Sequence, residues 1–415
     1  MNQSYISMFR EYDIRGRVSD DELNENSVYD IIRAYGTYLK RRNISEAVIG
    51  YDNRQCSPSF AKRAISALCD SGIDVKFLGL AISPFMYYAQ YYFNCDGGVM
   101  ITASHNPDGW SGFKLAKGLS KTLETKDIKE ILEIIKNDDY INDEKIGKVQ
   151  DVDIRDSYID EIVKRINLKE GTMPRVVLDA GNGAAGVFAY EVFQRIGCLT
   201  FQLNCDPDDT YPHYFPNPSN MEARKKLKEM VINPYIKADV GFGFDGDGDR
   251  IGVLDEKGQN IWSDKVLMIL ARQLLEKKKN SKIVFDVKCT RALVEDIENN
   301  GGEAVMWKTG HSYIKSKMHE IGADLAGERS GHIFVGGDEY FGFDDAVFVA
   351  AKFVEYISYQ DEKVSQLLNK FPSYITSPEI KVYCEDTVKY GVVNNLINDF
   401  KEVYGDNVID INGAR

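Results

Sequence analysis

Short runs rich in apolar and β-branched residues alternate with longer stretches whose apolar residues recur every three or four positions. The first pattern predicts buried strands, and the second predicts amphipathic helices. Eight runs show the first pattern: EAVIGYD, DVKFLGL, GGVMIT, RVVLDA, ADVGFGF, RIGVLD, KIVFDV and EAVMWK. Helical spacing separates them, in stretches that begin at Asn26, Phe60, Asp127, Met221 and Ser263. The alternation predicts an α/β protein with mixed, largely parallel sheets.

Three segments repeat one pattern, an α/β unit in which a strand leads into a polar loop that contains glycine. They span about 46–115, 174–255 and 282–335. In the tail, SPEIKVYC (377–384) predicts a strand and TVKYGVVNNLINDFKEVYG (387–405) predicts a helix. We therefore expect three similar α/β domains at 1–150, 151–257 and 258–362, and a smaller, shortened α+β domain at 363–415.

Composition narrows the classes of function. The 415 residues carry a formal net charge of -13, which argues against binding to nucleic acid or to an anionic membrane. The seven cysteines form neither a CxxC pair nor a dense disulfide pattern. No apolar run approaches the roughly 20 residues that span a bilayer. We expect a soluble, cytoplasmic protein with reduced thiols.

The loop TASHNP follows the strand GGVMIT and presents Ser104 beside His105. Backbone N–H groups in such a loop could surround a phosphate or an oxyanion. The same residue types are also typical of an ordinary hydrogen-bonded turn. Ser104 and His105 do not form a triad by themselves, because adjacent residues of an extended chain point to opposite faces.

The sequence DGDGDR places Asp245, Asp247 and Asp249 two residues apart, with glycines that let the backbone direct three carboxylates to one point. Two like charges about 4 Å apart repel by about 4 kcal/mol at an effective dielectric near 20. A divalent cation would offset this repulsion. An EF-hand loop is the alternative, with Glu256 at its twelfth position. However, Arg250 stands where that loop requires glycine, and strands flank the segment, so magnesium is favoured over calcium.

The segment AGERSGHIF carries Glu328, Ser330 and His332 at alternate positions. In an extended segment these side chains would face the same way and could bind a polyhydroxylated ligand, although a polar strand edge would look the same. Lys288 in DVKCTR and His311 in KTGHS lie in neighbouring stretches. They would supply the local positive charge that a phosphorylated substrate requires.

The turn GNGAAG, residues 181–186, follows a predicted strand and precedes a predicted helix, which satisfies the dinucleotide pattern G-x-G-x-x-G. Asp206 follows the next strand-like run, where an acid that binds ribose could lie. An NAD-dependent oxidoreductase is therefore an alternative function. A structural turn between strand and helix is the commoner origin of such glycines.

Taken together, the motifs resemble those of the α-D-phosphohexomutases, in particular the phosphomannomutase/phosphoglucomutase branch. The shared motifs cover nearly the whole chain: FREYDIRG (9–16), TASHNP (102–107), GFK (112–114), DGDGDR (245–250), DVKCTR (286–291), KTGHS (308–312), GERSGH (327–332) and GFDDA (342–346). The resemblance implies domains arranged around a central cleft. It also implies interconversion of hexose 1-phosphates and hexose 6-phosphates through a hexose 1,6-bisphosphate.

The resemblance further implies roles for individual residues. Ser104 would be the phosphoserine, and one Mg²⁺ per chain would be held by Ser104 with Asp245, Asp247 and Asp249. The other catalytic residues would be His105, Lys114, Arg250 and His332. The substrate-binding residues would be Arg15, Lys288, His311, Glu328 and Ser330. The partners would be small hexose phosphates, and the sequence leaves open whether the protein is a monomer or a dimer.

Two departures from the family pattern leave alternatives open. Arg329 stands where the branch that accepts both mannose and glucose commonly has methionine, and it could change the substrate preference, so phosphoglucosamine or another hexose phosphate is an alternative substrate. A non-catalytic sugar-phosphate binder is a separate alternative. The family's last domain also continues to a loop that grips the distal phosphate, whereas this sequence ends at NGAR. We expect a shortened member whose first three domains fold normally and whose turnover is weakened.

Overall fold

The computed structural model describes residues 3–143, 145–372, 374, 380, 382–385 and 388–415. The first unit contains the strands β1 (Ile14–Arg17), β2 (Glu46–Tyr51), β3 (Asp74–Leu80), β4 (Gly97–Ile101), β5 (Trp110–Lys117) and β6 (Val149–Asp151). Its helices are α1 (Gln3–Ser7), α2 (Glu25–Lys40), α3 (Ser57–Asp70), α4 (Ser83–Phe93) and α5 (Thr125–Lys136). The strand order is β1-β5-β4-β2-β3-β6, and β5 pairs antiparallel with both neighbours while the other pairs are parallel.

The second unit is a five-stranded sheet with helices against it. Its helices are α6 (Arg155–Val163), α7 (Ala185–Arg195) and α8 (Met221–Val231). Its strands are β7 (Arg175–Asp179), β8 (Leu199–Leu203), β9 (Val240–Phe244), β10 (Ile251–Asp255) and β11 (Asn260–Ile261). They lie in the order β11-β10-β9-β7-β8, in which β7 is parallel to β8 and β9, and β10 is antiparallel to its neighbours.

The third unit is a four-stranded sheet, and two further helices follow it. Its strands are β12 (Lys282–Asp286), β13 (Glu303–Trp307), β14 (Leu325–Gly327) and β15 (Ile333–Val335), in the order β13-β12-β14-β15. Its helices are α9 (Ser263–Lys277), α10 (Arg291–Asn299), α11 (His311–Ile321) and α12 (Ala346–Ser358). The tail contains α13 (Val364–Leu368), α14 (Lys389–Tyr404) and a 3₁₀ turn at Gly405–Asn407.

One hairpin recurs in all three sheets. A strand that is parallel to its inner neighbour turns back into an antiparallel strand, as β4–β5, β9–β10 and β14–β15. The connecting loops are residues 102–109, 245–250 and 328–332. The recurrence predicted for the three segments is thus confirmed, and it gives each unit one loop at the same end of its sheet.

The mixed α/β fold class is confirmed. All eight predicted strands, and the five helices predicted from apolar spacing, are present and end within a few residues of the expected positions. Buried, uninterrupted apolar runs such as β4 and β9 are covered on both faces, as expected for strands enclosed by helices. The helix predicted at 387–405 is α14. Of the strand predicted at 377–384, residues 380 and 382–384 are described and are not in a strand, whereas 377–379 and 381 lie outside the described residues. The boundaries of the four domains stay predictions.

The glycines of the GNGAAG turn are explained by close packing. A Cβ on Gly186 would lie 2.0 Å from the Cys205 carbonyl oxygen, and one on Gly183 would lie 3.2 Å from the Gly246 Cα. The Asn182 carbonyl also accepts a hydrogen bond from Asn53 Nδ2 at 2.8 Å. Protein atoms of the first and second units therefore contact this turn, which favours a structural turn over a dinucleotide site.

Two further features of the described residues are the character of the helices and the state of the cysteines. None of the helices in that part of the chain combines the length and the apolar character that a bilayer crossing requires. All seven cysteines are free thiols, and burial raises the pKa of several of them, to about 12 for Cys95, Cys198 and Cys205. These thiols are therefore poor nucleophiles at neutral pH.

Asp179, at the carboxyl end of β7, yields a prediction about stability. Its buried carboxylate accepts hydrogen bonds from Tyr214 Oη (2.9 Å) and Gly181 N (3.0 Å), yet burial raises its pKa to about 7. An unfolded aspartate has a pKa of about 3.9. Between these two values the folded state binds more protons, so the free energy of unfolding falls as the pH rises.

Asp179→Asn removes this pH dependence, because the amide oxygen can accept both hydrogen bonds without ionising. Between pH 5 and pH 8 we expect the free energy of unfolding of the wild type to fall by about 1 to 3 kcal/mol more than that of the variant. Urea unfolding at each pH measures this, with the exposed Asp209→Asn as a control that follows the wild type. Parallel stability curves for the wild type and Asp179→Asn would contradict the prediction.

Candidate functional site

Ser104 lies in the β4–β5 loop with a left-handed backbone, φ 52°, which is uncommon for a residue other than glycine. Its N–H donates to Thr102 Oγ1 at 2.7 Å. Its hydroxyl is buried, donates to Asp245 Oδ2 at 2.7 Å and lies 3.1 Å from His105 Nδ1. The loop thus directs one serine hydroxyl at a carboxylate of the second unit.

Asp245, Asp247 and Asp249 lie in the β9–β10 loop and are fully buried. One carboxylate oxygen from each residue lies within 4.8 Å of the other two, a grouping that could hold a metal ion. Among the described residues, Asp247 Oδ1 and Asp249 Oδ1 are buried without any hydrogen-bond donor. Buried acceptors of this kind normally have a partner, so a hard cation with oxygen ligands fits the site.

The strands that flank this loop decide between a magnesium site and an EF-hand calcium loop. An EF-hand places its loop between two helices, whereas β9 and β10 form an antiparallel hairpin. Glu256, the twelfth residue of the proposed calcium loop, instead accepts a hydrogen bond from the Ser365 N–H at 3.0 Å. The calcium-loop alternative is therefore wrong.

Lys114, on β5 of the first unit, compensates these carboxylates. Its ammonium donates to Asp247 Oδ2 at 2.6 Å, to Asp249 Oδ2, and to Ser83 Oγ at 3.1 Å. Burial opposes the charged form of Lys114, but Asp247 and Asp249 raise its pKa well above the ordinary value. Burial likewise opposes ionisation of Asp247, whereas Lys114 lowers the pKa of that carboxyl.

Asp245 behaves differently from its neighbours. Burial, followed by the charges of Asp249 and Asp247, raises the pKa of its carboxyl well above the ordinary range. Arg250 Nε is 4.0 Å from Asp245 Oδ2 and gives only partial compensation. The cluster therefore contains more negative charge than the surrounding protein cations neutralise.

A cleft of about 940 Å³ opens in front of Ser104. It brings together most of the predicted site residues: Ser104, His105, Lys114, Arg250, His332, Arg15 and His311. Arg10, Lys129 and Lys389 add further positive charge to its lining. In an acidic chain, such a concentration of cations suits a phosphorylated ligand.

His332 and His105 stand on either side of Arg250. His332 Nδ1 lies 2.9 Å from Asp344 Oδ2, and because a carboxylate only accepts, Nδ1 carries the hydrogen. Arg250 Nε donates to His332 Nε2 at 2.8 Å. Burial, then Arg250 and Arg15, lower the pKa of His105 to about 2, so this ring is neutral near pH 7.

The extended conformation considered for residues 326–334 is found at 326–327 in β14 and at 333–334 in β15, but it is wrong for the residues between them. Residues 328–332 form the turn of the β14–β15 hairpin, closed by a hydrogen bond from Glu328 N to His332 O at 2.8 Å. Gly331 permits the turn with a φ of 109°. Glu328 and Ser330 still meet, since Ser330 Oγ donates to Glu328 Oε2 at 3.0 Å.

Three of the predicted residues lie in different surroundings: Arg15 in the cleft, Glu328 buried and Lys288 exposed. Arg15 is held by Asp13 at 2.6 Å and by Asn106 Oδ1 at 3.0 Å, in the cleft. Glu328 is buried and accepts from the Gly310 N–H, so it also fixes the loop that precedes α11. Lys288 is exposed beyond β12 and lies outside the residues that line this cleft, so its role stays a prediction.

Arg329 is engaged in contacts away from the cleft in front of Ser104. Its guanidinium donates to Asp264 Oδ1 at 2.7 Å and lies over the Trp262 ring at 4.2 Å. The residue is also absent from the lining of the main cleft. A direct effect of this positive charge on substrate choice, which the sequence suggested, is therefore not favoured by the geometry.

Sequence reasoning missed several groups that hold the site in place. Asp344 and Lys315 pair at 3.2 Å behind His332, and Arg54 binds the backbone of the Ser104 loop. A signal for Arg54 was available in YDNRQCS, which directly follows the buried strand β2. Because β2 is parallel to β4, the carboxyl ends of both strands meet at one edge.

Comparison with known proteins agrees with this geometry. Family models described as phosphoglucomutase/phosphomannomutase α/β/α domains I, II and III match residues 7–142, 156–258 and 262–374. A phosphomannomutase/phosphoglucomutase from Pseudomonas aeruginosa is 38% identical over 410 residues, covering 99% of this chain and 86% of that protein. A phosphoglucomutase from Neisseria gonorrhoeae is 37% identical over 410 residues, covering 98% and 87%.

A solved structure extends the agreement to three dimensions. The crystal structure of a phosphoglucomutase/phosphomannomutase family protein from Burkholderia thailandensis superposes with a TM-score of 0.91 at 32% identity. The match covers 99% of this chain and 88% of that one. With three matched domains in order and relatives that align along nearly its whole length, this chain belongs to the phosphoglucomutase/phosphomannomutase family of the α-D-phosphohexomutase superfamily.

Proposed function

We propose that the protein interconverts the 1-phosphates and 6-phosphates of glucose and mannose, with Ser104 as the phosphoryl carrier. The observation that carries the proposal is the buried Ser104 hydroxyl, 2.7 Å from Asp245 at the end of a cation-lined cleft. Family membership and the activities named for the relatives support the same reaction.

In the forward direction, phosphorylated Ser104 donates its phosphoryl group to the free hydroxyl of a hexose phosphate. The bond from phosphorus to Ser104 Oγ breaks, the bond to the sugar oxygen forms, and the hydroxyl proton passes to a base in the cleft. The proposed acceptor is the imidazole of His332, which lines the cleft. His105, with a pKa of about 2, is too weak a base to hold the proton and is proposed to position the Ser104 hydroxyl. The resulting hexose bisphosphate then turns over and returns its other phosphoryl group to Ser104 Oγ.

The cations of the cleft stabilise charge on the transferring group. Arg250 and Arg15 approach the serine loop, and Lys114 holds Asp247 and Asp249 in place beside it. Phosphoryl transfer passes through a loose transition state in which positioning and charge stabilisation supply most of the catalysis. These groups are preorganised by buried contacts, so little reorganisation is required during the reaction.

We infer that the bound metal is Mg²⁺, held by Asp245, Asp247 and Asp249 next to Ser104. When bound, the ion neutralises negative charge on the phosphoryl oxygens. The two buried carboxylate oxygens without donors support its place, as does the oxygen-only set of ligands. A phosphoserine adds a charge of about -1.5 to -2, which such a site tolerates only with a cation.

The role of Ser104 is tested by substitution. With a catalytic amount of glucose 1,6-bisphosphate, the wild type should isomerise glucose 1-phosphate and mannose 1-phosphate, and peptide mapping should place phosphate on Ser104. Ser104→Ala should lose turnover by about 10⁴-fold or more, because the carrier hydroxyl is gone. Ser120→Ala is the matched control, a buried serine that also has a left-handed backbone, φ 51°, and it should keep both activities.

Three outcomes would contradict the proposal. Phosphate on another residue would remove Ser104 as the carrier. Binding of hexose phosphates without isomerisation would indicate a non-catalytic binder. A rise in melting temperature with NAD and none with hexose phosphates would favour the oxidoreductase alternative, because a ligand stabilises the fold it binds.

The metal assignment is tested by a pair of variants. The described residues offer two candidate groups, Asp245-Asp247-Asp249 and Asp249-His332-Asp344, which share Asp249. Asp247→Asn alters only the first group and should weaken Mn²⁺ or Mg²⁺ binding by about 100-fold, since affinity follows the number of charged ligands. Asp344→Asn alters only the second group and should leave binding within a few-fold of the wild type.

Isothermal titration calorimetry measures the affinity of both variants for Mn²⁺ or Mg²⁺. Competition with Ca²⁺ then tests the choice of metal. Loss of binding in Asp344→Asn with retention in Asp247→Asn would move the metal to the second group. Displacement of Mg²⁺ by stoichiometric Ca²⁺ would contradict the magnesium assignment.

A further inference from the structure

Arg54 is a buried arginine, 4% exposed, whose guanidinium binds the backbone of the Ser104 loop. Nη2 donates to the carbonyl oxygens of Ser104 (3.0 Å) and Asn106 (2.6 Å). Nη1 donates to those of Pro107 (3.1 Å) and Trp110 (3.2 Å). One side chain therefore binds three carbonyl groups of the loop 102–109, which forms no strand or helix, and the carbonyl group of Trp110, the first residue of β5.

The guanidinium is itself held in one orientation. Asp52 Oδ2 accepts from Arg54 Nε at 3.2 Å, and Asp52 Oδ1 accepts from Ser57 Oγ at 2.6 Å. Asp52 directly follows β2, and its N–H donates to the Ile101 carbonyl at the end of β4. Asp52, which anchors Arg54, is thus fixed to β2 and to β4, the strand that leads into the loop.

The second unit covers the same guanidinium. The ring centroids of Tyr211 and Phe215 lie 6.0 and 5.8 Å from Arg54 Cζ. Tyr211 Oη also donates to Asn53 Oδ1 at 3.3 Å. The hydrogen bond to the Ser104 carbonyl is buried and the other three are partly buried, so removal of the arginine would leave the Ser104 carbonyl buried without this donor.

We propose that Arg54 is a positioning residue that holds residues 104–110 in the conformation in which the Ser104 hydroxyl faces Asp245. The inference rests on the proposed role of Ser104 and deepens it. Arg54 is not among the residues that line the cleft, so it acts through the loop rather than on the substrate. The left-handed backbone of Ser104 is disfavoured for an isolated residue, and the hydrogen bond from Arg54 to the Ser104 carbonyl helps to maintain it.

Arg54→Lys tests the proposal. A lysine has three donors on one nitrogen and cannot reproduce the planar fork that spans four carbonyl groups. A misplacement of about 1 Å costs about 100-fold in rate. We expect kcat and the rate of Ser104 phosphorylation by glucose 1,6-bisphosphate to fall by about that factor, with KM for glucose 1-phosphate within threefold of the wild type.

The matched control is Arg175→Lys. Arg175 also donates to backbone carbonyl groups, those of Ile236 (2.6 Å) and Tyr235 (3.5 Å), and lies over an aromatic ring, Phe201, but it stands at the far end of β7. It should lower stability slightly and leave kcat unchanged. If Arg54→Lys does not fold, Asp52→Asn serves in its place, because it keeps the arginine and weakens only its orientation, with an expected loss in kcat of about tenfold.

Hydrogen exchange separates failure of this inference from failure of the proposed function. The amides of Ser104 and Asn106, which are hydrogen-bonded within the loop, should exchange at least tenfold faster in Arg54→Lys than in the wild type, and at the wild-type rate in Arg175→Lys. Wild-type exchange of this loop in Arg54→Lys, or an unchanged kcat, overturns the positioning role. If the exchange result holds but the wild type is never phosphorylated at Ser104, the loop is held as proposed and the proposed function is what fails.

Discussion

Compensation of the buried charge on Asp245, Asp247 and Asp249 is the constraint on which the rest of the site depends. Three ionised carboxylates without exposure to water would be strongly destabilising, and unpaired buried charges are normally neutralised or bound to a metal. The compensating ammonium of Lys114 comes from a different sheet, more than a hundred residues away in sequence. The interface between the first and second units is therefore an electrostatic requirement of the site itself.

The recurrent hairpin explains how several loops reach one place. Each unit contributes the loop that joins a parallel strand to an antiparallel one, and these loops carry Ser104, the three aspartates, and Glu328 with His332. The proposed serine carrier, the proposed cation site and the polar groups expected to bind the sugar thus lie on three copies of one structural device. Rigid strands set the position of each loop, which suits a reaction that depends on positioning.

Much of this arrangement could be predicted from sequence, because strand ends are marked by buried apolar runs followed by small polar residues. The runs that end at Ile101 and Phe244 gave the positions of Ser104 and Asp245. The segment at 328–332 was misjudged because alternating polar residues fit an extended strand as well as a tight turn, and only Gly331 indicated the turn. The orientation of Arg329 depends on Asp264 and Trp262, distant in sequence, and no local pattern reports it.

Long-range partners were the least accessible part of the site. Arg54 contacts a loop about fifty residues away, and Asp344 contacts both Lys315 and His332 from a third segment. Periodicity reports which face of an element is buried, but not which buried polar group it meets there. Such pairs follow only from the packed sheets, in which β2 lies beside β4 and α11 lies against β14.

The most direct test of the account is the position of the cation in a crystal of the Ser104-phosphorylated protein grown with Mn²⁺ in place of Mg²⁺. Anomalous scattering locates the ion independently of any assumption about the site. The account predicts one peak bonded to Asp245, Asp247 and Asp249 and to a phosphoryl oxygen on Ser104. A peak at Asp249, His332 and Asp344, or none near the phosphoserine, would contradict it.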